Sequence, residues 1–333
     1  MGLLKNGEWH TDWYDTEASG GEFQREDAGF RDWVVASDDG APTAGGAWPA
    51  ASGRYHLIVS WACPWAHRTL IFRRLKGLEP HVGVSVVDAE MLEHGWSFSR
   101  SFAENVDPLH GVAHLYELYQ RARSDYTGRV TVPVLWDRER DTIVSNESAD
   151  IIRMFNSAFD KLTGNTIDFY PDALRAEIDE INAFVYEKIN NGVYRSGFAT
   201  TQSAYEEAFE ALFAALDRIE QRLSAQRYLV GNALTEADWR LFTTLVRFDA
   251  VYVGHFKCNR QRLEDYPAIS NSLRDLYQVP GVRGTVNMHH IKTHYYYSHD
   301  MINPTRIVPR GPALDLDRAH DREQLGPAPA WAR

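Results

Sequence analysis

The sequence predicts an α/β domain followed by an all-helical one, and three observations carry that reading. Residues 56–87 have the pattern of a βαβ unit. Residues 130–155 read as a strand with an internal proline, a hairpin and a helix, and beyond Tyr170 helical spacing continues for about 120 residues. The boundaries that follow are an arm at 1–52, an α/β domain at 53–165 with an insertion at about 88–129, a helical domain at 170–300 and a tail at 301–333.

The arm mixes Gly, Asp, Thr and Pro with Trp9, Trp13, Phe23, Phe30 and Trp33, and shows neither the strand nor the helix period. It reads as long and irregular, but packed, because a free tail rarely carries so many large apolar side chains. Residues 56–60 and 82–87 read as strands. Between them Ala66, Leu70, Ile71, Leu75 and Leu78 recur at helical spacing, with Pro64 suited to the first turn and Gly77 near the end. Residues 130–136 and 142–145 read as strands joined by a charged turn, and a helix starts near Ser148 with Ala149, Ile151, Ile152, Met154 and Phe155. The insertion carries Trp96, Phe98, Phe102 and an amphipathic piece at 112–121. Helical segments follow at 173–190, 202–225, 236–250 and 269–276, the third opened by Thr235 and answered by Asp238 in a variant of the capping box. The Pro- and Arg-rich tail reads as irregular.

With 333 residues and 44% apolar side chains, the chain has material for two ordinary cores. Its formal charge of −11, from 35 Lys+Arg and 46 Asp+Glu with no basic block, gives no footprint for a phosphate backbone, so nucleic acid is not an expected partner. No apolar run approaches the roughly 18 residues of a membrane span, Lys5 and Glu8 interrupt any signal-like start, and Asn6 breaks the myristoylation pattern. A cytoplasmic protein with no membrane partner is expected. The two cysteines, Cys63 and Cys258, could form one bridge but no disulfide framework, which points to catalytic use.

Cys63-Pro64-Trp65-Ala66 falls where a strand hands over to a helix, placing the thiol among the N–H groups of a helix N-terminus. Thiolates at such positions have pKa values of roughly 3.5–7.5, against about 8.5 for an unperturbed cysteine. The alternative is a small buried hydrophobe, the commonest state of an unpaired cysteine. Ala66 stands where dithiol oxidoreductases carry a second cysteine, so the enzyme would be monothiol and glutathione, the abundant soluble thiol, would finish the reaction. Val132-Pro133 marks an edge, a bulge or a cis bond beside a site, or simply an edge strand. Ser145-Asn146-Glu147-Ser148 precedes the next helix: hydroxyl and N–H groups there suit a ligand carboxylate and Glu147 suits an ammonium, although Ser148 as a plain cap needs no ligand.

This order of elements, with Cys63-Pro64, Val132-Pro133, Glu147-Ser148 and the capping segment at Thr235 and Asp238, resembles the glutathione transferase superfamily, a thioredoxin-like domain followed by a helical one. More narrowly, Ser60-Trp61-Ala62-Cys63-Pro64-Trp65-Ala66-His67-Arg68, Gly192-Val193-Tyr194-Arg195-Ser196-Gly197-Phe198-Ala199 and Asn303-Pro304-Thr305-Arg306-Ile307-Val308-Pro309-Arg310-Gly311-Pro312 are similar to the glutathionyl-hydroquinone reductases, the Xi class. The resemblance covers the whole chain, arm and tail included. It implies reduction of S-glutathionyl-hydroquinones with glutathione as cosubstrate, giving hydroquinone and glutathione disulfide through a mixed disulfide at Cys63. It also implies that Trp96, Arg129, Val132, Glu147 and Ser148 hold glutathione and that Tyr194 and Tyr295 face the hydroquinone. No metal and no nucleotide are implied, and a homodimer is expected.

Without the resemblance, Tyr194 and Tyr295 read as packing residues, Arg129 as a solvated charge and Trp96 as a cap on the insertion's core. His290 and His294 would share a helical face, but no Cys, Glu or Asp stands at ligand spacing, so metal is not the expected reading. Cys258 has no implied role. Two other functions stay open: an omega-like thioltransferase or dehydroascorbate reductase using the same cysteine, and a non-catalytic binding module that has kept the fold.

Overall fold

A computed structural model describes residues 2–36, 48–98 and 106–332 of the chain; Phe102 of the insertion lies outside them. The chain divides into two units. The first comprises Met1–Trp13, Glu26–Asp168 and Thr285–Ser298, and the second Tyr14–Arg25, Phe169–Gly284 and His299–Arg333.

The arm is more regular than its composition predicts. β1 (Leu3–Lys5) and β2 (Glu8–His10) form a hairpin, and β1 also pairs with β7 (Gly128–Arg129) to make a three-stranded sheet in the order β2-β1-β7. Three-residue strands are too short to display a period, which is why the pattern looked irregular. β3 (Val34–Val35) and β4 (Trp48–Pro49) pair in parallel.

The main sheet holds β5 (Tyr55–Val59), β6 (Gly83–Val86), β8 (Val134–Asp137) and β9 (Thr142–Ser145) in the order β6-β5-β8-β9. β5 is buried at every position, parallel to β6 and antiparallel to β8, as a central strand in a run of apolar residues should be. The outer edge of β9 is covered by the arm: Arg31 bridges Ser145, Asp32 N–H donates to Val144 (2.9 Å) and Asn146 N–H donates to Phe30 (3.1 Å). The predicted continuous strand at 130–136 is broken. Thr131 exchanges its backbone bonds with a side chain instead, the Val132–Pro133 peptide is cis, and Pro133 has no N–H to offer a ladder.

α1 (Pro64–Leu75) packs with α3 (Ser148–Ser157), its first turn set by Pro64 and its end followed by Gly77 at φ +66°. The insertion supplies α2 (Leu115–Ala122), whose inward residues are Leu115, Leu118 and Tyr119, and the short α4 (Asp160–Thr163) follows α3.

The second unit is built from α5 (Arg175–Val185), α6 (Gly192–Phe198), α7 (Gln202–Ala225), α8 (Glu236–Arg247) and α9 (Pro267–Gln278). π-helical turns at Tyr186–Asn190 and Phe248–Tyr252 extend α5 and α8. α8 is buried along its whole length, so its polar residues need internal partners: Glu236 accepts from Asn182 (2.8 Å) and Arg240 (3.0 Å). The capping box predicted at Thr235 is present, with Asp238 answering it. The tail contains short helical turns, and its buried Arg322 donates to the Leu223, Gln226 and Arg227 carbonyls (2.6–2.8 Å), closing the end of α7. No helix among the described residues is long and apolar enough to cross a membrane.

Candidate active site

Cys63 is the N-cap of α1. Its backbone is extended (φ −74°, ψ 122°), Pro64 follows as the first helical residue, and its side chain makes no capping hydrogen bond. The thiol is half-buried, and its S–H donates to the Val132 carbonyl at 3.5 Å. The sulfur therefore lies against the Val132 carbonyl and at the positive end of a helix axis, and it is the helix end that favours a thiolate there.

The loop carrying Val132 is held by a residue that the sequence reading did not single out. Tyr119 of α2, fully buried, donates its hydroxyl to Thr131 O (2.8 Å) and accepts from Thr131 N–H (3.2 Å) and from the Asn146 amide (3.1 Å). One phenol thus ties the Val132 loop to the segment that starts α3. Burial raises its pKa, so it acts as a neutral phenol. The available signal was a tyrosine on the otherwise apolar face of a short amphipathic helix.

Glu147, not Ser148, is the cap of α3: its carboxylate accepts from Ala149 N–H at 2.8 Å. From the N-cap position the carboxylate reaches forward to the second N–H of the helix, which a residue already inside the first turn does not do. Ser148, 2% exposed, donates to Glu147 (3.4 Å) and accepts from Arg68 of α1 (3.4 Å). Arg68 is itself buried, with its guanidinium 4.5 Å above the Trp65 ring. A positive charge therefore stands where α1 meets α3, on a residue to which local sequence pattern assigns no role.

The remaining helix of the first unit is α10 (Met288–Ser298), missed because its aromatic and histidine residues show no clean period. His67 of α1 bonds Thr285 (2.8 Å), and Ser298 accepts from Met91 N–H (2.9 Å). Trp96, 4% exposed, stacks on His294 at 4.8 Å, and His294 bonds the Ala89 carbonyl (3.1 Å). His294 is thus part of an aromatic stack; among the described residues no group of three or more His, Cys, Asp or Glu side chains could hold a metal ion. Tyr295 is 1% exposed and meets His294 edge-on.

Arg129 is buried rather than solvated. Its guanidinium donates to the carbonyls of Asp12 (2.6 Å) and Trp13 (3.0 Å) and pairs with Glu26 at 3.4 Å, fastening the start of the arm. Tyr194 belongs to the second unit, on α6, where its ring lies among Phe23, Phe198, Tyr252 and Phe256 at 5.5–6.3 Å. Cys63, Trp96, Arg129, Val132, Glu147, Ser148 and Tyr295 all belong to the first.

Comparison with known proteins agrees with this architecture. Residues 62–158 match the glutathione S-transferase N-terminal domain and residues 202–271 its C-terminal domain. The chain is 56% identical over 324 residues to the glutathionyl-hydroquinone reductase YqjG of Escherichia coli, covering 97% of this chain and 99% of that one. It is 52% identical to the glutathionyl-hydroquinone reductase PcpF of Sphingobium chlorophenolicum, covering 95% and 98%. Among solved structures, glutathione-bound YqjG superposes with a TM-score of 0.87 at 53% identity, covering 97% and 99% of the two chains. The Xi-class transferase of Natrialba magadii gives 0.89 at 49% identity, covering 98% of each chain. The chain belongs to the glutathionyl-hydroquinone reductases, the Xi class of the glutathione transferase superfamily.

Proposed function

We propose that Cys63 is the nucleophile by which this chain, a glutathionyl-hydroquinone reductase, frees hydroquinone from its glutathione conjugate. The observation that carries the assignment is the position of the sulfur, at the N-cap of α1 and 3.5 Å from Val132 O. The Cys63 thiolate attacks the sulfur of the conjugate. The carbon–sulfur bond breaks as the Cys63–glutathione disulfide forms, and the electron pair of the broken bond passes into the ring, which takes up one proton to become hydroquinone. A second glutathione then attacks the mixed disulfide as thiolate. It regenerates Cys63 and leaves as glutathione disulfide, its proton balancing the one delivered to the ring. Ala66 offers no resolving thiol, so the second thiol comes from solution.

Glutathione dependence supports the rest of the assignment. Val132 offers its backbone, Glu147 and Ser148 at the start of α3 suit the γ-glutamyl end, and buried Trp96 covers the tripeptide. Arg129 enters with its fork already on two arm carbonyls, so a glutathione carboxylate would replace one of them. Tyr194 and Tyr295 take the proton-transfer role on the strength of the family resemblance. A homodimer remains the proposed assembly.

The test compares turnover of a glutathionyl-hydroquinone with that of a small glutathione mixed disulfide, following the Cys63 adduct by intact mass. Faster hydroquinone release, with an adduct that a second glutathione removes, is the expected result. A clear preference for the small disulfide would favour the omega-like thioltransferase reading, and no glutathione-dependent turnover of either would favour a binding module.

A further inference from the structure

The stretch of the arm from Tyr14 to Arg25 belongs to the second unit and is stitched to the start of α7. Thr200 N–H donates to Gly21 O (3.0 Å), and Thr201 donates to Gly20 O (3.0 Å) while capping α7. Gly21 lies at φ +98°, and a Cβ there would stand 2.4 Å from Thr201 Oγ1, so the approach needs a glycine. What this docking delivers is a pair of side chains. Phe23 packs edge-on against Tyr14 (4.6 Å) and at 5.3 Å from Phe198. Arg25 places its guanidinium 5.0 Å over the ring of Tyr194 and 5.5 Å over Phe23, and its Nε donates to Asn191 Oδ1 (3.2 Å), one residue before α6 begins.

We infer that Arg25 is a positioning residue for Tyr194: a fixed cation on the face of the phenol that stabilises the negative charge Tyr194 acquires when it gives its proton to the hydroquinone ring as the carbon–sulfur bond breaks. The inference rests on the assignment of Tyr194 as a proton donor. The physical argument is that a guanidinium over an aromatic face is already attracted to the ring's electrons, and the attraction grows as the phenol becomes phenolate. The other rings around Tyr194, those of Phe23, Phe198 and Phe256, bring no charge. Tyr252 at 6.2 Å is a second phenol, His299 stands behind Phe198, and the adjacent Arg195 is exposed. Arg25 is therefore a cation placed on that face, and it is brought there by the arm rather than by the helices. Proton return to Tyr194 from solvent closes the cycle with no change in the overall balance. In this reading the arm is a functional part of the hydroquinone side of the reaction.

The experiment uses the full chain as wild type and as Arg25→Gln, Arg25→Lys, Tyr194→Phe and the Arg25→Gln/Tyr194→Phe pair, each checked by thermal unfolding. Arg25→Gln should lower kcat on a glutathionyl-hydroquinone about tenfold with KM changed by less than about twofold. Arg25→Lys should restore most of the loss, and exchange with a small glutathione mixed disulfide should not move. In the Tyr194→Phe background the same Arg25→Gln change should cost less than about twofold. A full tenfold cost in that background, or a parallel fall in disulfide exchange, would overturn the link between the two residues. So would an unchanged kcat in Arg25→Gln while Tyr194→Phe is slow. Full turnover by Tyr194→Phe alone would instead remove the proton-donor reading beneath it, so the two failures are distinct.

Discussion

Two helix starts in this molecule face the same surplus of N–H donors and meet it in opposite ways. At α8, Thr235 accepts from Ala237 N–H (3.3 Å), while Asp238 accepts from Thr235 N–H (2.9 Å) and Leu229 N–H (2.7 Å), all in the buried interior. The exposed-donor problem of a helix N-terminus is solved there by the chain's own side chains. At α1 the cap is Cys63, half-buried, with no capping hydrogen bond from its side chain. The difference teaches where stability and chemistry reside. A closed cap fixes a core helix, whereas a thiol at the cap keeps the positive end of the helix for a developing anion.

The sharpest way to break this comparison is Cys63→Ser. Serine is a good N-cap, so the variant should fold at least as stably as wild type, with a gain of up to about 1 kcal/mol by chemical denaturation. Turnover should fall by at least about 10³-fold, and no glutathione adduct should appear by intact mass. Retained activity in that variant would mean that the start of α1 is structural like that of α8. The next largest effect belongs to the two tyrosines. Tyr194→Phe together with Tyr295→Phe should slow hydroquinone release by about 10²-fold or more while slowing disulfide exchange much less. Equal losses in both steps would assign the pair to packing.

The α8 side of the comparison predicts a stability effect with no kinetic one. Asp238→Ala leaves the buried N–H groups of Leu229 and Thr235 without their acceptor and should cost about 2–4 kcal/mol, with kcat per folded molecule unchanged. The pH dependence carries a sign. Burial pushes Asp238 up to about 6 from an ordinary 3.8, so between those values the folded state holds the proton that the unfolded chain releases. Its contribution to stability therefore declines as pH rises through that window and stays lower above it. Asp238→Asn should remove that decline, read as the difference between the two unfolding profiles.

The same contrast explains what the sequence could disclose. The boundaries of α7 and β9 were legible at 202–225 and 142–145, as were the cap at Thr235 and the first turn at Pro64, because periodicity and helix-start signals are written in neighbouring residues. β1, β2 and α6 are too short to show a period, and α10 mixes buried polar and aromatic residues. In the site, the chemical groups were legible from the motifs and the resemblance, but their supports were not. Tyr119 reaches Thr131 and Asn146 from the insertion, and Arg129 reaches back more than a hundred residues to Asp12 and Trp13. Such contacts depend on tertiary placement, which local pattern does not encode.

The smallest expected effect concerns the other cysteine, which tests whether a thiol alone is enough. Cys258 is fully buried, its backbone N–H donates to Tyr252 O (2.9 Å), and burial pushes its thiol up to about 12 from an ordinary 9.0. A thiol that remains protonated and covered is a poor nucleophile, so a thiol-alkylating reagent near pH 8 should label Cys63 quickly and Cys258 only after unfolding. Because the folded state holds the Cys258 proton where the unfolded chain would lose it, stability from this group is unaffected near neutrality and falls as pH rises above 9.0. Cys258→Ala should abolish that alkaline fall, cost about 1–2 kcal/mol for the lost packing at neutral pH, and leave kcat at the wild-type value. A kcat loss approaching that of Cys63→Ser would show that the buried thiol shares in the chemistry, and the contrast between an open and a closed setting would no longer account for which cysteine reacts.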